Sequence, residues 1–93
     1  MKKEIKYTDE GYSYIECTRE ECYKWGGACI CDDCNKEIEG TVYLIYVLNS
    51  ALCEKCFKDW QKRNERYEED LRLQRRSHIA YYKAYGFEVN GNE

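Results

Sequence analysis

The sequence predicts a small α+β domain stapled by four cysteines, and three observations predict it. Two C-x-x-C pairs, Cys31/Cys34 and Cys53/Cys56, stand eighteen residues apart in the stretch CDDCNKEIEGTVYLIYVLNSALCEKC. Strand-like segments accompany them: KEIKY near the N-terminus alternates, and TVYLIYVL, Thr41 to Leu48, is rich in β-branched and aromatic residues. From Ala51 to Tyr85 neither proline nor glycine interrupts the chain, which reads as helix until Gly86. With 93 residues the chain makes one domain, residues 1–93, with the cysteine module over 29–60 and the C-terminal helix over 53–85.

Each element has a local reason. Ile5 and Tyr7 share one side of a strand, Thr8-Asp9-Glu10-Gly11 turns the chain, and Tyr12, Tyr14 and Glu16 keep period two, so residues 3–17 read as a β-hairpin. Thr18 and Glu21 have capping-box spacing and open a short helix from Arg19 to Trp25 that stops at Gly26-Gly27. Glu39-Gly40 turns the chain into the apolar strand, and the second C-x-x-C starts the long helix. There the helix dipole and free amides stabilise thiolate charge.

Along that helix Phe57, Trp60, Asn64, Tyr67, Leu71, Gln74, His78, Tyr81 and Tyr85 form one seam at heptad spacing. Polar Asn64, Gln74 and His78 weaken it. The helix is therefore expected to lie against its own sheet, or to break near Arg75-Arg76-Ser77 and fold back, in a monomer or weak dimer. Asp59 with Arg63, and Glu68 with Arg72, have the spacing of helical ion pairs. The tail, Phe87 to Glu93, reads as frayed.

Four thiolates in two tight knuckles are what one tetrahedral zinc requires, so Cys31, Cys34, Cys53 and Cys56 are the expected ligands of a single structural Zn2+. In so small a domain such an ion, worth roughly 10–16 kcal/mol, can decide whether the chain folds. Cys17, Cys22 and Cys29 read as buried small apolar residues, or, with His78, as material for a second site. Cys29 lies two residues before Cys31, so on a strand both would face one side, which makes it the best competitor for the metal. Knuckle, hairpin, second knuckle and helix resemble the zinc-ribbon and treble-clef families, and one half of a LIM-like module, over residues 31–56. That resemblance implies a fold and a metal, not an activity.

Composition narrows the function classes. Residues 1–10 hold no apolar run, so neither a signal peptide nor a membrane span is expected, and a cytoplasmic setting with reduced thiols follows. The formal charge is −3, and between Asp9 and Glu39 nine acids face three bases, a net of −6. Such a surface repels nucleic acid and suits a basic protein partner, through Glu16, Glu20, Glu21, Asp32, Asp33, Glu37 and Glu39; its bland reading is a solvated face. Catalysis is not expected: four thiolates leave no open zinc position, and phosphate loops and protease or deaminase signatures are missing. Two binding classes remain. A nucleic-acid module would use Lys62, Arg63, Arg66, Arg72, Arg75, Arg76 and Lys83, but Glu65, Glu68, Glu69 and Asp70 interleave with them, so little affinity for free nucleic acid is expected. A protein-binding module draws on ten tyrosines and two tryptophans.

An acidic, tyrosine-rich chain of this size with the CDDC/CEKC pair also resembles the type II anti-CRISPR proteins of phages and prophages. These inhibitors bind the RNA-guided DNA nuclease and block loading or cleavage of target DNA. The resemblance implies a phage-encoded inhibitor acting in a host bacterial cytoplasm on a type II CRISPR nuclease. It carries over no binding residues. The alternative is a zinc-ribbon adaptor or a transcription-associated nucleic-acid binder.

Overall fold

The computed structural model describes residues 2–24, 29–63 and 66–89. Its elements run β1 (Lys2–Lys3), β2 (Lys6–Tyr7), β3 (Ser13–Cys17), α1 (Arg19–Lys24), β4 (Val42–Ile45), β5 (Ser50–Leu52), α2 (Glu54–Arg63), α3 (Glu68–Ala84) and β6 (Glu88–Val89). The fold is α+β: an antiparallel sheet in the order β2-β3-β4-β5, with β1 and β6 paired in parallel beside it. No helix among the described residues is long and apolar enough to cross a membrane.

The expected hairpin forms between β2 and β3, with Lys6 opposite Tyr14 and Tyr7 opposite Ser13. The capping box also forms. Glu21 accepts from the Thr18 N–H at 2.9 Å, and Thr18 Oγ1 accepts from the Glu21 N–H at 3.2 Å. The stop expected at Gly26-Gly27 lies outside the described residues.

The apolar run 41–48 is not one strand. Val42–Ile45 forms β4, residues 46–49 turn, and Asn49 adopts φ 49° to bring the chain back as β5. The run lacks alternation because both faces of β4 are covered. Tyr43, opposite Glu16 and Leu52, stacks on Phe57 of α2 with ring centroids 4.2 Å apart. On the other face Ser13, Ile15 and Cys17 alternate with Tyr14 and Glu16, and the Ser13 hydroxyl meets the Tyr82 hydroxyl of α3 at 3.1 Å. The two helices thus cover opposite faces of the sheet.

That arrangement corrects the continuous helix read over 53–85. A single straight helix stays on one face, so the chain must leave helical geometry to cross. It does so before Tyr67, which is extended at φ −117°, ψ 118° and whose N–H donates to the Tyr12 hydroxyl at 2.9 Å. Asn64 of the expected seam lies outside the described residues. Through Arg75-Arg76-Ser77 the helix is unbroken. The helix does not break there because the polar members of the seam at 74 and 78 are buried and satisfied. Gln74, 2 % exposed, accepts from the Ser13 N–H at 2.6 Å and donates to the Gly11 carbonyl at 2.9 Å. Buried His78 places Nδ1 on the Gln74 carbonyl and Nε2 3.5 Å from the Tyr7 hydroxyl.

The α3 helix ends as expected at Gly86, whose φ of 90° is the left-handed conformation glycine adopts without strain. Gly86 N–H donates to the Lys83 carbonyl and Phe87 N–H to the Tyr82 carbonyl, a Schellman closure. Residues 87–89 then depart from the frayed expectation. Phe87 is buried and Glu88–Val89 pairs with Lys2–Lys3; only residues 90–93 fall outside the described part. Neither expected helical ion pair forms: Arg63 donates to the Asp59 carbonyl and Glu68 pairs with Arg66.

Replacing Gln74 by leucine should cost about 2 kcal/mol or more, because the fully buried Ser13 N–H loses its acceptor. The drop reads out as a lower urea midpoint, whereas Leu73→Ser, at an exposed neighbour, should stay within about 0.5 kcal/mol of the parent.

Candidate metal centre

The first knuckle is a miniature hairpin. An isolated bridge joins Ile30 and Glu37, Cys31 N–H donates to the Lys36 carbonyl, and Asn35 N–H returns to the Cys31 carbonyl at 2.9 Å. Asn35 at φ 61° makes the reversal; asparagine tolerates that conformation better than most residues. The second pair follows β5 directly: Cys53 precedes α2 and accepts the Phe57 N–H on its carbonyl, and Cys56 lies one turn in.

Two hydrogen bonds lock the pairs to each other. Asp32 N–H donates to the Ala51 carbonyl at 2.9 Å, and the Asp32 carboxylate accepts the Ala51 N–H at 2.8 Å. Asp32 thereby joins the first knuckle to β5, two residues ahead of Cys53. Sequence reasoning placed Asp32 on a partner-binding face; an acid inside C-D-D-C was the signal available for this positioning role.

The result is convergence. The sulfurs of Cys31, Cys34, Cys53 and Cys56 all lie within 4.8 Å of one another, the one such group of metal-competent side chains among the described residues. Tetrahedral zinc with Zn–S bonds of about 2.3 Å places its sulfurs about 3.8 Å apart, so the cluster fits one structural zinc after a small contraction. Cys31 and Cys56 are buried, Cys53 is half-buried and Cys34 is exposed, so the site has one edge toward solvent. Burial pushes the Cys31 thiol up, but the backbone amides of Cys34, Cys53 and Asp33 outweigh it and bring Cys31 down to about 7. Cys56 is pushed far upward, first by burial and then by its hydrogen bonds to the other three sulfurs. The protein frame thus favours the thiolate at Cys31 and the thiol at Cys56, and the charge of a bound metal would ionise Cys56.

The other cysteines are core residues. Cys17, Cys22 and Cys29 are each at most 3 % exposed and pack with Ile15, Val42 and Phe57 in one cluster. Burial raises Cys17 and Cys22 to about 12, which keeps both as neutral thiols. Cys29 does not compete for the metal. Its φ of 56° breaks the period-two geometry that would have aligned it with Cys31, and its sulfur instead faces the Arg19 carbonyl at 3.6 Å. His78 sits between Tyr7 and Tyr82, its ring edge-on to both, and joins no metal cluster.

The acids assigned to a partner face are dispersed and mostly engaged. Glu16 pairs with Lys6 at 3.0 Å, Glu21 with Lys3 at 2.6 Å, Asp33 with Arg63 at 3.9 Å, and Glu37 with Arg19. Glu20 and Glu39 enter no ion pair among the described residues and line one shallow groove with Thr18, Arg19, Gly40 and Thr41. No family model matches the chain, and neither a curated protein nor a solved structure matches it.

Cys34→Ser or Cys56→Ser should abolish stoichiometric zinc and the cooperative unfolding transition together, while Cys17→Ala keeps one zinc per chain; elemental analysis and thermal melts read both. Zinc affinity should also fall by more than tenfold per pH unit on acidification below neutrality, since each ion displaces more than one thiol proton; competition with a chromogenic chelator measures it.

Proposed function

We propose that the chain is a non-enzymatic protein-binding module whose fold is held by a structural zinc. One observation carries this reading: six large apolar side chains, Tyr7, Tyr23, Ile30, Leu48, Tyr67 and Leu73, remain 39–57 % exposed among the described residues. Aromatic and aliphatic side chains left on the surface of so small a domain are the material of interface anchors. The chemistry of the metal centre supports the same class. Four thiolates complete a tetrahedral zinc, so a substrate would have to displace a ligand to reach it.

Within this reading the proposed partner is a type II RNA-guided nuclease, and the action is denial of DNA to its basic channel. This finer proposal rests on the resemblance of composition and motif to phage inhibitors. Of the acids assigned to a partner face, Glu20 and Glu39 have neither an ion pair nor a backbone hydrogen bond to their carboxylates among the described residues. That leaves them to meet a basic surface. The second reading, a nucleic-acid-binding adaptor, is favoured by the exposed Arg72, Arg75, Arg76 and Lys83 of α3. Against it stands the net charge of −3.

Target-DNA cleavage by a nuclease–guide complex, with the zinc-loaded protein added before or after DNA, tests the finer proposal. Inhibition only on prior addition is expected. Equal inhibition in either order would move the block to the cleavage step, and no inhibition or binding across type II nucleases would remove the nuclease from the proposal. A salt-steep gel shift with free DNA at nanomolar protein would favour the adaptor reading.

A further inference from the structure

The outer surface of α3 carries two features that the metal centre does not use. The first is a groove of about 370 Å³ between the 46–49 turn and α3, lined by Tyr46, Val47, Asn49, Asp70, Leu73 and Tyr81. Leu73 on its rim is 57 % exposed, the most open large apolar side chain among the described residues. The second is a basic stripe. Arg72, Arg76 and Lys83 recur at helical spacing, with Arg75 beside them, and all four are exposed. None enters an ion pair among the described residues, although Lys3, Lys6, Arg19, Lys58, Arg63 and Arg66 all do. The acids of α3, Glu68, Glu69 and Asp70, gather in its first turn, where the helix N-terminus compensates negative charge. The stripe beyond them is therefore cationic along about 16 Å of helix. In the groove wall the Tyr81 hydroxyl is buried, and its ring packs edge-on against Tyr85.

We propose that this groove and stripe together form the docking face for a short acidic segment of a partner protein, one that sets an apolar anchor residue between carboxylates. The anchor enters the groove against Leu73, Val47 and Tyr46, and the carboxylates meet Arg72, Arg76 and Lys83. Arginine pairs with carboxylate through two parallel hydrogen bonds, and an apolar centre with a charged rim is the usual anatomy of a protein interface. A nucleic acid fits less well. Its phosphates would meet the stripe, but it presents flat bases rather than a side-chain anchor to a groove walled by Leu73 and Val47. A second copy fits less well too. Pairing α3 with its twofold mate across this face sets Arg76 near its own copy, and like charges so placed repel. The inference rests on the protein-binding reading but not on the identity of the partner. The stripe is also opposite in sign to the Glu20/Glu39 groove, so the two surfaces suit different contacts.

The test uses the zinc-loaded full chain, labelled with 15N, and four probes. They are a synthetic peptide of Asp and Glu around a central Leu-Phe pair, its counterpart with lysine for the acids, its counterpart with serine for Leu-Phe, and a single-stranded DNA. The acidic apolar peptide should produce saturable shifts at the amides of Val47, Asn49, Leu73 and Ser77. Either altered peptide should bind at least about tenfold more weakly, as should the protein variants Arg72→Glu/Arg76→Glu and Leu73→Ser. Both variants change exposed residues, and an unchanged unfolding midpoint shows that they remain folded. Absence of saturable shifts at this face overturns the proposal. So does tighter binding of the DNA there, or self-association by ultracentrifugation that Leu73→Ser abolishes. Should a partner captured by the parent chain be captured undiminished by both variants, this face is not the docking face while the protein-binding reading stands. Should the chain bind no protein and the peptide still map here with the expected losses, the face stands as a recognition site and the broader reading falls.

Discussion

Four sulfurs must meet at one point, and the N-terminal half of α2, the β4–β5 hairpin and the loop before β4 are placed by that demand. The knuckle supplies Cys31 and Cys34, the hairpin returns the chain, and the first turn of α2 supplies Cys56. Bonding between Asp32 and Ala51 sets the two halves in register before any metal arrives. A domain of this size keeps a net stability of about 5–15 kcal/mol, and a structural zinc contributes about as much as that whole margin. Phe57, one residue beyond Cys56, transmits the constraint into the sheet by stacking on Tyr43 and tilting against Tyr14 and Trp60.

The second constraint is polar and belongs to the other face. The Gln74 amide ties α3 to Gly11 and Ser13, the Ser13 hydroxyl meets Tyr82, and the Tyr12 hydroxyl receives the Tyr67 N–H where α3 begins. These groups fix the position of α3 more narrowly than apolar packing alone, because a shift of one helical residue would leave buried donors without acceptors. The chain can therefore abandon one long helix. Tyr67, extended ahead of α3, keeps its N–H on the Tyr12 hydroxyl, and both sheet faces gain cover.

Charge follows from the fold rather than from the order of residues. The stretch from Asp9 to Glu39 is strongly acidic in sequence, yet four of its acids meet cations that come from outside or from the far side of that stretch, among them Lys3, Lys6 and Arg63. On α3 the acids occupy the first turn and the bases that follow them reach solvent. The surface that remains cationic is thus one that composition assigns to neither sign. It stands beside the groove of Tyr46, Val47 and Leu73.

The sequence alone determined the metal site, since C-x-x-C spacing is a local covalent fact that few folds can satisfy in another way. It also determined the capping box at Thr18 and Glu21, the hairpin from Lys6 to Cys17 and the stop at Gly86, each of which depends on residues within a few positions of one another. Tertiary structure decided the rest. Whether helix continues past Arg63 depends on which sheet face needs covering, and propensity carries no knowledge of that face. The inward turn of Cys29 depends on one left-handed residue, and residues 88–89 are placed by pairing with Lys2–Lys3 across nearly the whole chain. The distribution of open charge was illegible for the same reason: an ion pair such as Lys3–Glu21 exists only after strands and helices distant in sequence have been brought to 2.6 Å.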